Sequence, residues 1–402
     1  MIILLSLALP ACYLSGITDP QANVRRLPVA LVAGPQREGG ALDGTARSVA
    51  DAVRTGTDQE KIRIIAMSPA EMATAMRDNA VYGAVVIPED FDHALAGLVT
   101  ATPGTVPARP VVSIVTNAGA GNLAAGLVNG AMSPVLAAVQ HSVAERLGVF
   151  ADPYRALVLR EPFAVRTVPD RVLPPRSGSG LTPFYLALVT ILIGFIGAST
   201  IHPAVDAAIG FAPSEVGPFT TRRRYRPASR TTTLLAKLAV LLAVAPIAAA
   251  LLNLTAARVI GVPMDHPLVM WLLLTSAITA VGIGALSVFA VFGSPGALVN
   301  TFFFVAMSLA TGPSVPTEAL PAWLRACTSI TAMPPILDGV RAVLFFDGRG
   351  AAGLTDGWTH IAVGATVGLA LGLTTTWWYD RNPRLSRHPA EAEATAGALL
   401  RR

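Results

Sequence analysis

Residues 267–317, PLVMWLLLTSAITAVGIGALSVFAVFGSPGALVNTFFFVAMSLATGPSVPT, contain no Asp, Glu, Lys or Arg. A helix rises about 1.5 Å per residue, so about 20 apolar residues cross the roughly 30 Å hydrocarbon core of a bilayer. This block is too long for one crossing, and Gly293-Ser294-Pro295-Gly296 divides it with turn chemistry. The stretches between Arg176 and Asp206, from Leu238 to Ala257 and from Ile361 to Tyr379 are equally free of those residues. In water each would have to be buried on every side. In lipid, helices satisfy their own backbone polar groups and need no such burial. The chain therefore reads as a polytopic α-helical membrane protein.

Composition agrees. Of 402 residues, 52% are hydrophobic and only 14% charged, against about 25% charged in soluble domains. The net charge of +5 would suit nucleic acid, but the cations flank apolar spans, where they set orientation. No nucleic-acid partner is expected. Cys12 and Cys327 are too few for a disulfide framework and are expected unpaired.

Six spans are expected: residues 1–16, then about Leu181–Ile201, Lys237–Leu254, Leu268–Phe292, Ala297–Gly312 and His360–Tyr379. The first is short, with three readings open: a truncated anchor (favoured), a cleaved signal peptide, or a lipoprotein box at Leu9-Pro10-Ala11-Cys12. Lys237, at a span's end, is expected to snorkel to the interface. Trp377, Trp378 and Tyr379 read as an aromatic belt. Arginines gather at Arg222, Arg223, Arg224, Arg226 and Arg230, and again at Arg381, Arg384, Arg387, Arg401 and Arg402. With six spans both clusters face the cytoplasm, as do both termini, by the positive-inside rule. The expected organisation is a first span (1–16), an extracytoplasmic α/β domain with its linker (17–180), a five-helix membrane domain (181–380) and an Arg-rich tail (381–402) in the cell membrane.

In the domain, Leu27–Val32, Ile62–Ala66, Tyr82–Ile87 and Val111–Val115 read as short apolar strands. Leu42–Val53, Pro69–Arg77 and Phe91–Leu98 alternate with them at helical spacing, predicting a mainly parallel sheet. A helix over Asn122–Leu147 either packs on that sheet or stands as a stalk, and residues 165–180 read as a linker. Glu89, Asp90 and Asp92 suit a turn and helix start, Asn117-Ala118-Gly119 suits a turn, and His93 and His141 have no companions at metal-ligand spacing. No catalytic set, nucleophile elbow or metal site is expected.

No ionisable residue is expected inside the well-defined span cores, which argues against an ion-coupled carrier. Asn253, Thr275, Ser276, Thr279 and Asn300 are polar exceptions that either bond helix to helix or line a translocation path. Gly364, Gly368 and Gly372, spaced by four, form a helix-packing or dimer face. Ile336, Leu337, Val340, Val343 and Leu344 predict an amphipathic helix lying in the outer interface. Neither Lys61 nor Lys237 sits in a G-K-[ST] setting, so no P-loop is present and ATP hydrolysis is not expected here.

The order of Leu27–Val32, Tyr82–Phe91, Val115-Thr116-Asn117 and Pro316–Leu324, with Pro334-Pro335 and Gly339-Val340-Arg341 after it, resembles type-2 ABC exporter permeases. The branch it is most similar to is that of the phage-infection-protein and nitrosoguanidine-resistance permeases. The weak first span departs from the pattern. The resemblance implies a homodimer or heterodimer of permeases exporting an amphipathic, lipid-like or drug-like substrate. It also implies a separate cytoplasmic ABC ATPase that supplies ATP, and no cofactor bound by this chain. By analogy the segment from Pro203 to Arg230 meets that ATPase, with Glu215, Arg222, Arg223 and Arg224 as contacts, unless those arginines only set topology. A rival reading is a membrane receptor or scaffold whose domain binds a partner without transport. A membrane-embedded enzyme is the weakest reading.

Overall fold

The computed structural model describes residues 10–12, 14–15, 18–34, 44–100, 108–147, 159–221, 223–311, 315–382 and 385. The chain divides into two compact units. Met1–Ser15, Pro183–Pro313 and Ala326–Arg402 make a helical unit; Gly16–Thr182 and Ser314–Arg325 make a lobe.

The lobe holds a five-stranded sheet of β1 (Leu27–Ala33), β2 (Ile62–Ala66), β3 (Gly83–Ile87), β4 (Val111–Thr116) and β5 (Ala164–Pro169), in the order β2-β1-β3-β4-β5. Strand β1 runs parallel to β2 and β3, β3 antiparallel to β4, and β4 parallel to β5. Buried Leu27, Val29, Ala84, Val85, Val112 and Ile114 explain why these apolar runs lie inside. Strand β5 corrects the expectation of a linker from residue 165. It is an edge strand with exposed Arg166 and Thr167, so it lacks the apolar run that marked the others.

Helices α1 (Thr45–Gly56), α2 (Pro69–Arg77) and α3 (Phe91–Val99) follow their strands. A capping box starts α2: Ser68 Oγ accepts from the Glu71 N–H, and the Glu71 carboxylate accepts from the Ser68 N–H. Asp92 acts on another element than the one it begins. Its buried carboxylate accepts from the N–H groups of Gly44 (2.9 Å) and Ala46 (2.7 Å), capping α1. The long helix α4 (Asn122–Arg146) packs on the sheet rather than standing as a stalk. Met132 and Leu136 are fully buried, and a Cβ added to Gly83 of β3 would stand 2.6 Å from a Val128 methyl. Buried Asn117 brackets the lobe by donating to the carbonyls of Met76 and Val81.

The second chain segment completes the lobe. Glu318 accepts from the Tyr82 hydroxyl at 2.9 Å, and its carbonyl accepts from the Arg25 N–H at 2.8 Å. Arg325 donates to the carbonyls of Asn23, Thr317, Glu318 and Leu320.

The helical unit contains α5 (Thr182–Ala208), α6 (Arg230–Leu254), α7 (Pro267–Phe292), α8 (Gly296–Thr311), α9 (Met333–Phe345) and α10 (Leu354–Arg381). Among the described residues five helices are long and apolar enough to cross a membrane: α4, α5, α6 with its π-helical extension to Ile260, α7 and α10. The first of these is the sheet-packed helix of the lobe, which leaves four in the helical unit. Helix α8 has sixteen residues, about 24 Å at 1.5 Å per residue, and is π-helical over Thr301–Ala306. The first expected span falls largely outside the described residues.

Helix α7 is the core of this unit, with Met270, Leu273, Leu274 and Ala277 fully buried. Leu242, Ile247 and Leu251 of α6 stay exposed at 57%, 61% and 60%, as lipid-facing side chains do. Helix α9 departs from its expected place in the interface. Its apolar face (Ile336, Leu337, Val340, Val343) is buried against protein: Gly339 lies under Leu273 of α7, and Gly357 of α10 under the Pro335 carbonyl.

Candidate functional site

Two helix boundaries differ from the sequence expectation, and the difference creates the site. Helix α5 continues past Ile201 to Ala208, and α6 begins at Arg230, two turns before Lys237. Lys237 thus lies inside a helix, 4% exposed, facing Asp206 of α5, 5% exposed. This overturns the snorkelling lysine and places an ionisable pair within the helices that carry the second and third expected spans.

Lys237 Nζ stands 2.8 Å from Asp206 Oδ1 and 3.0 Å from His202 Nδ1. An ammonium only donates, so His202 Nδ1 accepts and its ring proton sits on Nε2, which faces Asp206 Oδ2 at 3.7 Å. The imidazole stacks on Phe289 with centroids 4.6 Å apart and planes at 20°. Asp206 is in the last turn of α5, where the helix dipole disfavours a carboxylate, and Lys237 is two turns into α6, beyond the reach of its dipole. Neither dipole stabilises these charges. They compensate each other.

The cluster lines a cavity of about 630 Å³ together with Leu234, Leu286, Phe289, Arg230, Thr376 and Tyr379. Side chains of α10 close it at the start of α6. Asp380 accepts from the N–H groups of Arg230 (2.8 Å) and Thr231 (3.0 Å), and Ser229 Oγ caps the Thr232 N–H. Tyr379 donates to the Val291 carbonyl. The Arg230 guanidinium lies 5.3 Å from the Tyr379 ring centroid, with Nε donating to the Leu385 carbonyl.

The connection from α5 to α6 is a β-hairpin, β6 (Ser214–Val216) and β7 (Phe219–Thr221), turned at Gly217 with φ +58. Glu215 pairs with Thr220 in its ladder. Arg222 lies outside the described residues. Arg223 and Arg224 are exposed, and their backbone packs over Gly210 (φ +73), where a Cβ would stand 2.6 Å from the Arg223 carbonyl. Pro203–Ala208, expected in the loop, belongs to α5.

The four residues considered for a translocation path are not brought together. Asn253 donates to the carbonyl of Pro267 at the start of α7, and Asn300 to that of Ala285 near its end, separated by about 27 Å along a helix rising 1.5 Å per residue. Thr275, whose buried hydroxyl has no hydrogen-bond partner among the described residues, and Thr279 lie between them on α7. None of the four lines the cavity. The glycine series splits too. Gly368 meets Gly284 of α7, and Gly372 meets Ser287 and Leu234, so these two serve packing within the chain, while Gly364 faces open space. Among the described residues no group of three His, Cys, Asp or Glu could hold a metal. His202 and Asp206 were missed by the sequence reading. Their signal was an i, i+4 His–Asp pair ending an uncharged block, opposite the one lysine near a span.

No curated protein and no solved structure matches the chain significantly. The family model described as "ABC-2 family transporter protein" matches residues 1–377. With that match over almost its whole length, and with its long apolar helices, the chain belongs to the ABC-2 transporter family and is a multi-pass membrane permease of ABC type.

Proposed function

We propose that the chain is the permease subunit of an exporter in the cell membrane, moving an amphipathic, lipid-like or drug-like substrate outward. Six spans put both termini and the β6–β7 hairpin in the cytoplasm and the lobe outside. A separate cytoplasmic ABC ATPase hydrolyses ATP and docks at the hairpin through Glu215, Arg222, Arg223 and Arg224, and two permeases pair around one pathway. The chain itself catalyses nothing and binds no cofactor. It resembles the branch of the phage-infection-protein and nitrosoguanidine-resistance permeases.

The observation that carries this reading is the family match over residues 1–377. The hairpin adds mechanical support: it joins the ends of α5 and α6 that the Asp206–Lys237 pair ties together, so force on the hairpin reaches a buried electrostatic link within two helix turns. The test is purification from native membranes with mass spectrometry of what accompanies the protein, followed by efflux measurements. A co-purifying ATPase, lost on replacing Arg222, Arg223 and Arg224 by Ala, supports the reading. Solitary purification with efflux unchanged on gene deletion overturns it in favour of a scaffold.

A further inference from the structure

We infer that the cavity between α5, α6, α7 and α10 is a binding site for the anionic headgroup of a single-tailed amphipath. The inference rests on the export reading and narrows its substrate class. Three observations carry it.

The carboxylates beside the cavity already bind protein donors. Asp206 holds Lys237 Nζ, and the two oxygens of Asp380 hold the N–H groups of Arg230 and Thr231. A cationic ligand would have to displace one of these partners. The cations are balanced differently. Lys237 is matched by Asp206, whereas the Arg230 guanidinium touches the Leu385 carbonyl and the Tyr379 ring and meets no carboxylate among the described residues. A half-buried guanidinium in that state is suited to a phosphate or carboxylate, which its planar fork binds through two parallel bonds. The remaining wall is mostly apolar. Leu234, Leu286 and Phe289 line it beside Thr376 and Ser294, placing apolar atoms next to the charged end. The volume of about 630 Å³ falls among small-molecule sites of about 300–1,000 Å³.

The experiment uses the full chain in lipid nanodiscs, with bound ligand counted by native mass spectrometry. The probes are lysophosphatidic acid, lysophosphatidylcholine of the same tail, and inorganic phosphate. We expect saturable binding of lysophosphatidic acid at concentrations where neither other probe is retained. Arg230→Gln should weaken it tenfold or more, Arg230→Lys, which keeps the charge but not the fork, should recover only part of it, and Arg226→Gln, outside the cavity, should leave it unchanged. Equal retention of the two lysolipids would reduce the site to apolar partitioning. Displacement by inorganic phosphate alone would make it a plain anion site, and an unaffected Arg230→Gln would remove the arginine; each result overturns the inference. The measurement needs no ATPase and no transport, so failed binding leaves the export reading standing, and failed efflux with intact binding removes export instead.

Discussion

Removing the lysine of the buried ion pair tests the central physical claim most directly. Lys237→Met keeps the length and apolar stem of the side chain but leaves the buried Asp206 carboxylate without its cation, with the His202 ring 3.7 Å away. The two side chains are 6% and 7% exposed and 2.8 Å apart. Breaking such a pair from one side costs about 3–5 kcal/mol, whereas replacing both partners by apolar groups is often neutral. The expected loss is therefore about 3 kcal/mol for Lys237→Met and about the same for Asp206→Leu. The double variant should fall within about 1 kcal/mol of the parent, a coupling of about 5 kcal/mol, or between three and four orders of magnitude in the unfolding equilibrium. A double-mutant cycle in mixed micelles, titrated with SDS and followed by tryptophan fluorescence, reads this. Single losses below about 1 kcal/mol, or additivity within about 0.5 kcal/mol, would refute the reasoning, because a solvated pair behaves in that way.

Gly372→Ala should lower stability by about 1–3 kcal/mol through overpacking, since its Cβ would meet Ser287 Oγ at 2.5 Å, while Gly364→Ala, in open space, should be neutral. Thermal melts in detergent compare the two. Asp92→Ala should destabilise the lobe by about 2–3 kcal/mol through two orphaned N–H groups, whereas Asp90→Ala, whose side chain makes no cap bond, should leave it within about 0.5 kcal/mol; denaturation monitored by circular dichroism separates them. Arg325→Ala removes donors from the carbonyls of Asn23, Thr317, Glu318 and Leu320, and hydrogen exchange over residues 315–325 should rise by at least tenfold. Unchanged exchange there would mean the segment is held by apolar packing alone.

The uncharged blocks made the membrane helices legible because lipid imposes a length and an apolarity that few other environments require. Strands β1, β3 and β4 were legible for a related reason, each being an apolar run with buried residues, and β2, the other edge strand, kept an Ile-Arg-Ile-Ile run although only Ile62 is buried. Strand β5 was not, because an edge strand needs only backbone pairing on one side and tolerates Arg166 and Thr167 facing out. The site was the least legible part. Hydropathy starts a span at the last charge, so Lys237 looked terminal although Arg230–Ala236 already forms two turns of α6. Asp206 looked like the residue that stops a span for the same reason. Their pairing joins positions 31 apart in sequence, and no local spacing announces it. The glycine series was legible as a small-residue face but not its partner, because close approach to Gly284 or to a second chain leaves the same pattern.

The lobe is assembled from two pieces of polypeptide, and this limits how it can be handled in the laboratory. A recombinant fragment ending at Thr182 would lack the acceptors that the Tyr82 hydroxyl and the Arg25 amide find on Glu318. Such a fragment would present raw backbone where the intact molecule has none, and antibodies or binding partners selected against it would recognise an artefact. A faithful soluble version needs residues 314–325 spliced back through a short tether.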